Sequence, residues 1–358
     1  MTMREDNPWP AHDCTILDLD TVTPEPISWL WPGRIPLGMF VLMAGQPGVG
    51  KTTISHSIAA ITSTGGKWPF SKDHAKPGGV IILTAEDDPV YTLVPRLMAA
   101  NADLERIKLI QSVARHHDDH VVDAPLLLSE DMNQLDGVLT EYTDTRLLIL
   151  DPLSAYLGVK DSHRDADVRQ VLGPLTDLAA RHRVTVMGIT HMTKNASNSA
   201  MARFMGSTGI IAAARAAFLV TEHEDELLML PVKSNVAPKM GGLTYKIVSA
   251  TIVGNIETSR IEWTGQTDIE ADEALAAQAA KTSAPKMNDA IEFLTEALKD
   301  GPVSVDDIYK GAQKVGITRS TVRRAYDDLG IEAIKEKKFQ GKWLWYTPEQ
   351  IKSNTKRK

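Results

Sequence analysis

Short apolar runs punctuate the first two thirds of the chain. Met39–Ala44, Val80–Leu83, Ile107–Ile110, Leu147–Leu150 and Val184–Ile189 are apolar at nearly every position. A strand without polar alternation is buried on both faces, as in a parallel sheet. Helical spacing fills the intervals, through Ile54, Ile58 and Ile61 and then over Val90–Ala100, Gln134–Tyr142 and Asp165–Arg181. Strands alternating with helices predict an α/β fold, a mostly parallel sheet with helices on both faces. After Thr208 the rhythm changes. Phe218–Val220, Leu227–Val232, Leu243–Val248 and Ile256–Trp263 read as successive strands joined by short turns, antiparallel additions to the sheet.

The flanks differ from this core. Residues 1–35 are rich in Pro, Trp and Asp and show no period, which predicts an arm laid over a domain at 36–263. Residues 264–285 are Ala-rich and polar and end at Pro285, a linker that is helical in part. A separate unit follows at 286–348, with a basic tail at 349–358. Ala290, Phe293, Leu294 and Leu298 mark one amphipathic helix, Val305–Val315 a second and Thr318–Leu329 a third. Ile331–Lys337 and Lys342–Tyr346 then form a hairpin. Together they predict a winged helix-turn-helix.

Charge sharpens that reading. The net charge is −7, yet from Lys281 onward there are 16 Lys+Arg against 11 Asp+Glu, a surplus of five. Arg319, Arg323 and Arg324 load the start of the third helix, where a recognition helix meets DNA; Lys335, Lys337, Lys338 and Lys342 load the wing, with Lys356, Arg357 and Lys358 behind. A winged helix used for protein contacts is the competing reading. Over the whole chain 43% hydrophobic and 24% charged residues mark a folded globular protein rather than a disordered one. The lone cysteine, Cys14, and the lack of a roughly 20-residue apolar run point to a cytoplasmic protein.

Gly45-Gln46-Pro47-Gly48-Val49-Gly50-Lys51-Thr52 fits G-x-x-x-x-G-K-[ST] at every fixed position, between a strand and a helix. The glycines let backbone N–H groups wrap a phosphate; Lys51, on what reads as an exposed loop, reaches the outer phosphates, and Thr52, followed by Thr53, holds Mg²⁺. The strand ending at Asp151 supplies a second oxygen for the cation. Pro152 follows it, so the base comes from elsewhere, and Glu86, just past the carboxyl end of Val80–Leu83, is placed to polarise a water. His191 ends a third strand and can sense the terminal phosphate. His116, His117 and His120 read as a polar loop, not a metal site.

These residues together resemble the RecA-like hexameric ATPases of plasmid and phage replication, the RepA helicase family. The resemblance spans roughly Ile27 to Trp263. It includes Trp-Leu-Trp-Pro-Gly-Arg at 29–34, Thr84-Ala85-Glu86-Asp87, Leu150-Asp151-Pro152, Thr190-His191, Gly206-Ser207-Thr208-Gly209, Ala214-Arg215 and Lys233-Ser234-Asn235. It implies an ATP-driven DNA motor, a ring of six with Mg-ATP between subunits. Arg215 would be a finger for the neighbour's nucleotide, assisted by Lys233. Arg215 sits in an apolar stretch where a buried, unpaired guanidinium is costly, so a finger or an internal salt bridge are its two readings. Loops 154–167 and 192–204, with Lys160, Arg164, Lys194 and Arg203, would face single-stranded DNA at the ring's centre, or simply decorate the surface. A DNA-binding loader or regulator without unwinding activity is the alternative. An initiator of the AAA+ class fits less well, because no Glu follows Asp151 and strands rather than a helical lid follow Arg215.

Overall fold

The computed structural model describes residues 17–117, 120–158, 165–192, 208–238, 240–336 and 341–355. Nine strands form its main sheet: β1 (Phe40–Gly45), β2 (Gly79–Thr84), β3 (Ile107–Leu109), β4 (Thr145–Asp151), β5 (Thr185–His191), β6 (Ala216–His223), β7 (Glu226–Ser234), β8 (Gly242–Ile252) and β9 (Ile256–Thr267). Their order is β9-β8-β7-β6-β1-β5-β4-β2-β3. The six strands from β6 to β3 are parallel. Only the last three additions are antiparallel. Phe218–Val220 is therefore not an antiparallel addition; it lies in β6, parallel to β1.

The unbroken apolar runs have a direct cause. Alternate residues of one strand feed two different cores. Phe40, Leu42 and Ala44 join Ile81, Leu83, Leu148 and Leu150 on one face, beneath the helices Met132–Glu141 and Asp165–His182. Val41 and Met43 join Val80, Ile82, Leu147 and Ile149 on the other, against the helix Lys51–Thr64. The central positions of these strands therefore face a core on either side, and polar residues fall at their ends.

Three expectations change. The segment 29–35 is not an arm, because Trp29–Trp31 and Ile35–Pro36 pair as a small hairpin and Leu30, Trp31 and Ile35 are buried. Trp31 stacks on Trp68 with centroids 4.8 Å apart, a contact adding about 0.5–1.5 kcal/mol beyond burial. The stretch 264–285 is helical over more of its length than expected, and the helix runs on past Pro285. It completes β9 and enters one helix, Ala271–Leu298. Alanine is the best helix former, and Ala271, Ala274 and Leu275 anchor its start on the main core. The histidines lie on a hairpin, Val113–His117 with His120–Ala124, rather than in a loop.

Beyond Leu298, helices Val305–Lys314 and Arg319–Asp328 and a three-stranded antiparallel sheet enclose a separate cluster containing Ala290, Leu294, Ile308, Val322 and Trp345. Ser304 and Thr318 cap the two helices, accepting from the backbone N–H of Asp307 and Thr321. The last segment is not a simple tail, since Pro348–Thr355 is helical. Among the described residues no helix is long and apolar enough to cross a membrane.

Candidate active site

The phosphate loop is shaped by what its glycines permit. Gly48 and Gly50 take φ of +83° and +88°, backbone that L side chains rarely adopt. At Gly45 a Cβ would fall 2.1 Å from the carbonyl oxygen of Val220 on β6, so only glycine lets the strands close there. Gly50 begins the helix Lys51–Thr64 without a side-chain cap, which leaves its first N–H groups to a ligand. Around it Gln46 and Pro47 are exposed, whereas Val49 and Thr53 are buried.

Strand register then gathers the other side chains. Gly45 pairs with His191, and Thr84 pairs with Asp151, so β1, β5, β4 and β2 finish side by side. Lys51 Nζ donates to the carbonyl oxygen of Gln46 at 2.8 Å and lies 3.4 Å from His191 Nδ1. With Lys51 donating to Nδ1, the imidazole proton resides on Nε2, which lies 3.7 Å from Glu86 Oε1. Thr52 Oγ1 donates to Asp151 Oδ2 at 2.6 Å. Lys51, Thr52, Glu86, Asp151 and His191 thus converge on one spot. Glu86 and His191 keep about half of their side-chain surface in water. Lys51 does not; it is only 6% exposed, and the expectation of an exposed lysine is corrected.

Burial sets the electrostatics. It pulls the Lys51 ammonium below its ordinary range, against the opposing pull of Asp151 and Glu86. It pushes the Asp151 carboxyl up, against the hydrogen bond from Thr52, and Glu86 and Asp87 push the same way. Nearby Tyr156 rises to about 12, from burial and then Asp151. A crowded acid beside a desolvated lysine and a hydroxyl suits a hard cation and a phosphate. The donor set fits Mg²⁺, which takes one or two protein oxygens and draws the rest from water and phosphate.

Arg215 and Lys233 lie elsewhere. Arg215 is joined to the start of β1, its N–H donating to the carbonyl of Phe40 at 2.9 Å. Five strand residues separate that point from the loop, about 17 Å. Arg215 is exposed, so the expected burial cost does not arise, and it forms no ion pair among the described residues. Lys233 donates to the carbonyls of Ile211 and Ala212, and burial and then Arg215 lower its pKa. Neither touches the phosphate loop of its own chain.

In the C-terminal unit Arg319, Arg323 and Arg324 are exposed on one helix; Arg319 lies over Tyr309 and Arg323 over Tyr326. Lys160, Arg164, Lys194, Arg203, Lys337, Lys338, Lys356, Arg357 and Lys358 lie outside the described residues.

Several contacts had no signal in residue spacing. Tyr245, fully buried on β8, donates its hydroxyl to the carbonyl of Val49. Asp87 is bound by Arg96 at 2.8 and 3.1 Å and faces His56 Nε2 at 3.7 Å. Asp88, not Asp87, caps the following helix, accepting from Val90 and Tyr91.

The sequence profile of an AAA domain matches residues 6–197, more than half of the chain. The match takes in the phosphate loop, Glu86, Asp151 and His191 and stops before Arg215. No curated protein matches the chain.

Proposed function

Because the chain belongs to the AAA domain family of P-loop ATPases, we propose that it is an ATP-driven, ring-forming DNA motor, a RecA-like helicase of plasmid or phage replication. The observation that carries the ring is the separation of Arg215 and Lys233 from the phosphate loop by the length of β1 and β6. An exposed, unpaired guanidinium that cannot reach its own nucleotide suits a neighbour's.

In this reading Gly45, Gln46, Pro47, Gly48, Val49 and Gly50 wrap the phosphates of ATP, and Thr53 secures the start of the helix. Lys51 leaves the Gln46 carbonyl for the outer phosphates. Thr52 and Asp151 are the oxygens that hold Mg²⁺, which when bound neutralises phosphate charge and polarises the terminal phosphoryl group. Glu86 orients a water and accepts its proton. His191, between Lys51 and Glu86, registers whether the terminal phosphate is present. Arg215 of one subunit, with Lys233, stabilises charge developing at the next subunit's site.

The C-terminal unit, in this reading, is a winged helix-turn-helix spanning 286–348 that binds duplex DNA through Arg319, Arg323, Arg324, Lys337 and Lys338. Single-stranded DNA runs past Lys194 and Arg203 in the ring. The duplex-reading unit also favours a second reading, a loader or regulator that does not unwind. ATP-dependent strand displacement on a forked duplex decides between them. Displacement lost in Lys51→Ala supports the motor; ATP hydrolysis stimulated by DNA without displacement supports the loader.

A further inference from the structure

A second concentration of positive charge lies at the other end of the sheet, where the parallel strands begin. Lys76 precedes β2, Arg146 is the second residue of β4, and Arg183 stands just before β5. Because β2, β4 and β5 are close neighbours in the sheet, these three side chains line one cavity of about 670 Å³, together with Ser28, Trp29 and His182. Among the described residues no carboxylate pairs with the three cations. The carboxylate on the cavity wall, Asp144, is engaged by Arg106 at 3.3 Å, and His182 is held by Asp136 at 2.6 Å.

Arg146 is held in place. Its stem crosses Gly78, where a Cβ would fall 2.3 Å from Arg146 Cδ and 2.8 Å from the carbonyl oxygen of Asp144. Its Nε is buried without an acceptor. Burial, and then the nearby Arg183, lowers its pKa. A cation at the end of the helix Asp165–His182 is favourable in itself, which accounts for Arg183. It does not account for a strand arginine that lines the same cavity as a second cation. Arg183 takes φ +55° as the left-handed residue that ends the helix Asp165–His182, with Val184 N–H returning to the carbonyl of Ala179, and its Nη2 donates to Ser28 Oγ at 3.0 Å.

We propose that this cavity is a second binding site, separate from the phosphate loop, for a small phosphorylated molecule of the nucleotide type. Two guanidinium groups and an ammonium on one cavity, whose wall carboxylate Asp144 is already engaged by Arg106, suit a phosphate, to which arginine binds through paired donors. The volume lies in the range of small-molecule pockets. Half-buried Trp29 offers a flat apolar face for a base on the same wall.

The test uses the full chain carrying Lys51→Ala, so that the phosphate loop does not contribute. Binding of AMP and of inorganic phosphate is measured by equilibrium dialysis and calorimetry. One equivalent of AMP should bind, and phosphate should compete with it. Adding Arg146→Gln or Arg183→Ala should weaken both probes at least tenfold, and Trp29→Leu should weaken AMP alone. Arg183→Ala alters an exposed side chain and keeps the test valid if Arg146→Gln does not fold, which thermal unfolding reports. Failure of AMP to saturate a single site, or binding that neither arginine substitution weakens, overturns the proposal. Phosphate binding without AMP binding overturns the nucleotide assignment.

Discussion

Arg215 donates its backbone N–H to the carbonyl of Phe40 at 2.9 Å, at the opposite end of the strand whose last residue, Gly45, opens the phosphate loop. If Arg215 serves a neighbour, Arg215→Ala chains should bind ATP normally and hydrolyse it 10³–10⁵-fold more slowly, roughly the worth of an arginine finger. Mixing Arg215→Ala with Lys51→Ala chains should restore part of the activity. Failure at every mixing ratio, with subunit exchange verified, would rule out action in trans.

Glu86→Gln should keep nucleotide affinity and lower kcat about 10²–10⁴-fold, because the base is lost and the cradle is not. Lys51→Ala should abolish hydrolysis. Since Lys51 is buried, its folded state should be checked by circular dichroism before activity is compared. An unchanged kcat in Glu86→Gln would remove that residue from the chemistry.

Tyr245→Phe should weaken nucleotide binding while leaving the fold intact. It deletes the hydroxyl that Val49 accepts from, worth about 1 kcal/mol or some fivefold in Kd. Loss of kcat with unaltered affinity would show that Tyr245 does not shape the loop.

His56 predicts a pH dependence of stability. Burial first, and Arg96 with it, hold its pKa near 4, against the opposing pull of Asp87. Its folded pKa lies below the unfolded value, so this contribution is complete above about pH 6.5 and is lost progressively as pH falls toward 4. The unfolding free energy from urea titrations should fall by on the order of 1 kcal/mol between about pH 7.5 and 5.5. His56→Gln should flatten that slope. An equal slope in both proteins would mean other groups carry it.

Removing residues 281–358 should spare ATP hydrolysis and any ring. The cut falls between Leu275, which packs on the main core, and Ala290, which packs in the C-terminal cluster. Duplex affinity should drop sharply, and the salt dependence should shallow by roughly one for each DNA phosphate that the shortened chain no longer neutralises. If the C-terminal unit reads sequence, a specific site should resist salt better than random duplex. Unchanged duplex affinity in a salt titration would assign the unit to protein contacts.

The parallel core was legible because its strands carry no polar alternation, and the phosphate loop because its glycines and lysine occupy fixed positions. The convergence of Glu86, Asp151 and His191 follows from where each sits on its strand. Other features depend on contacts between distant residues. Nothing near Tyr245 announces a bond to Val49 across 196 positions. The Trp31 hairpin was hidden because its burial depends on Trp68, and Arg215 looked buried because its neighbours are. In the helix Ala271–Leu298, composition suggested a linker helical only in part, while helix propensity and two anchoring cores decided otherwise.

That helix has a mechanical consequence. An α-helix of 28 residues spans about 42 Å and turns 100° per residue, and Pro285 in its interior removes one of its backbone hydrogen bonds. Near its start Gln278 accepts a hydrogen bond from Gln46 of the phosphate loop at 3.4 Å. The C-terminal unit is therefore joined to the core through helix rather than through coil. One residue inserted after Lys281 would swing everything beyond it by about 100°, whereas an insertion of seven would lengthen the helix and nearly restore the phase.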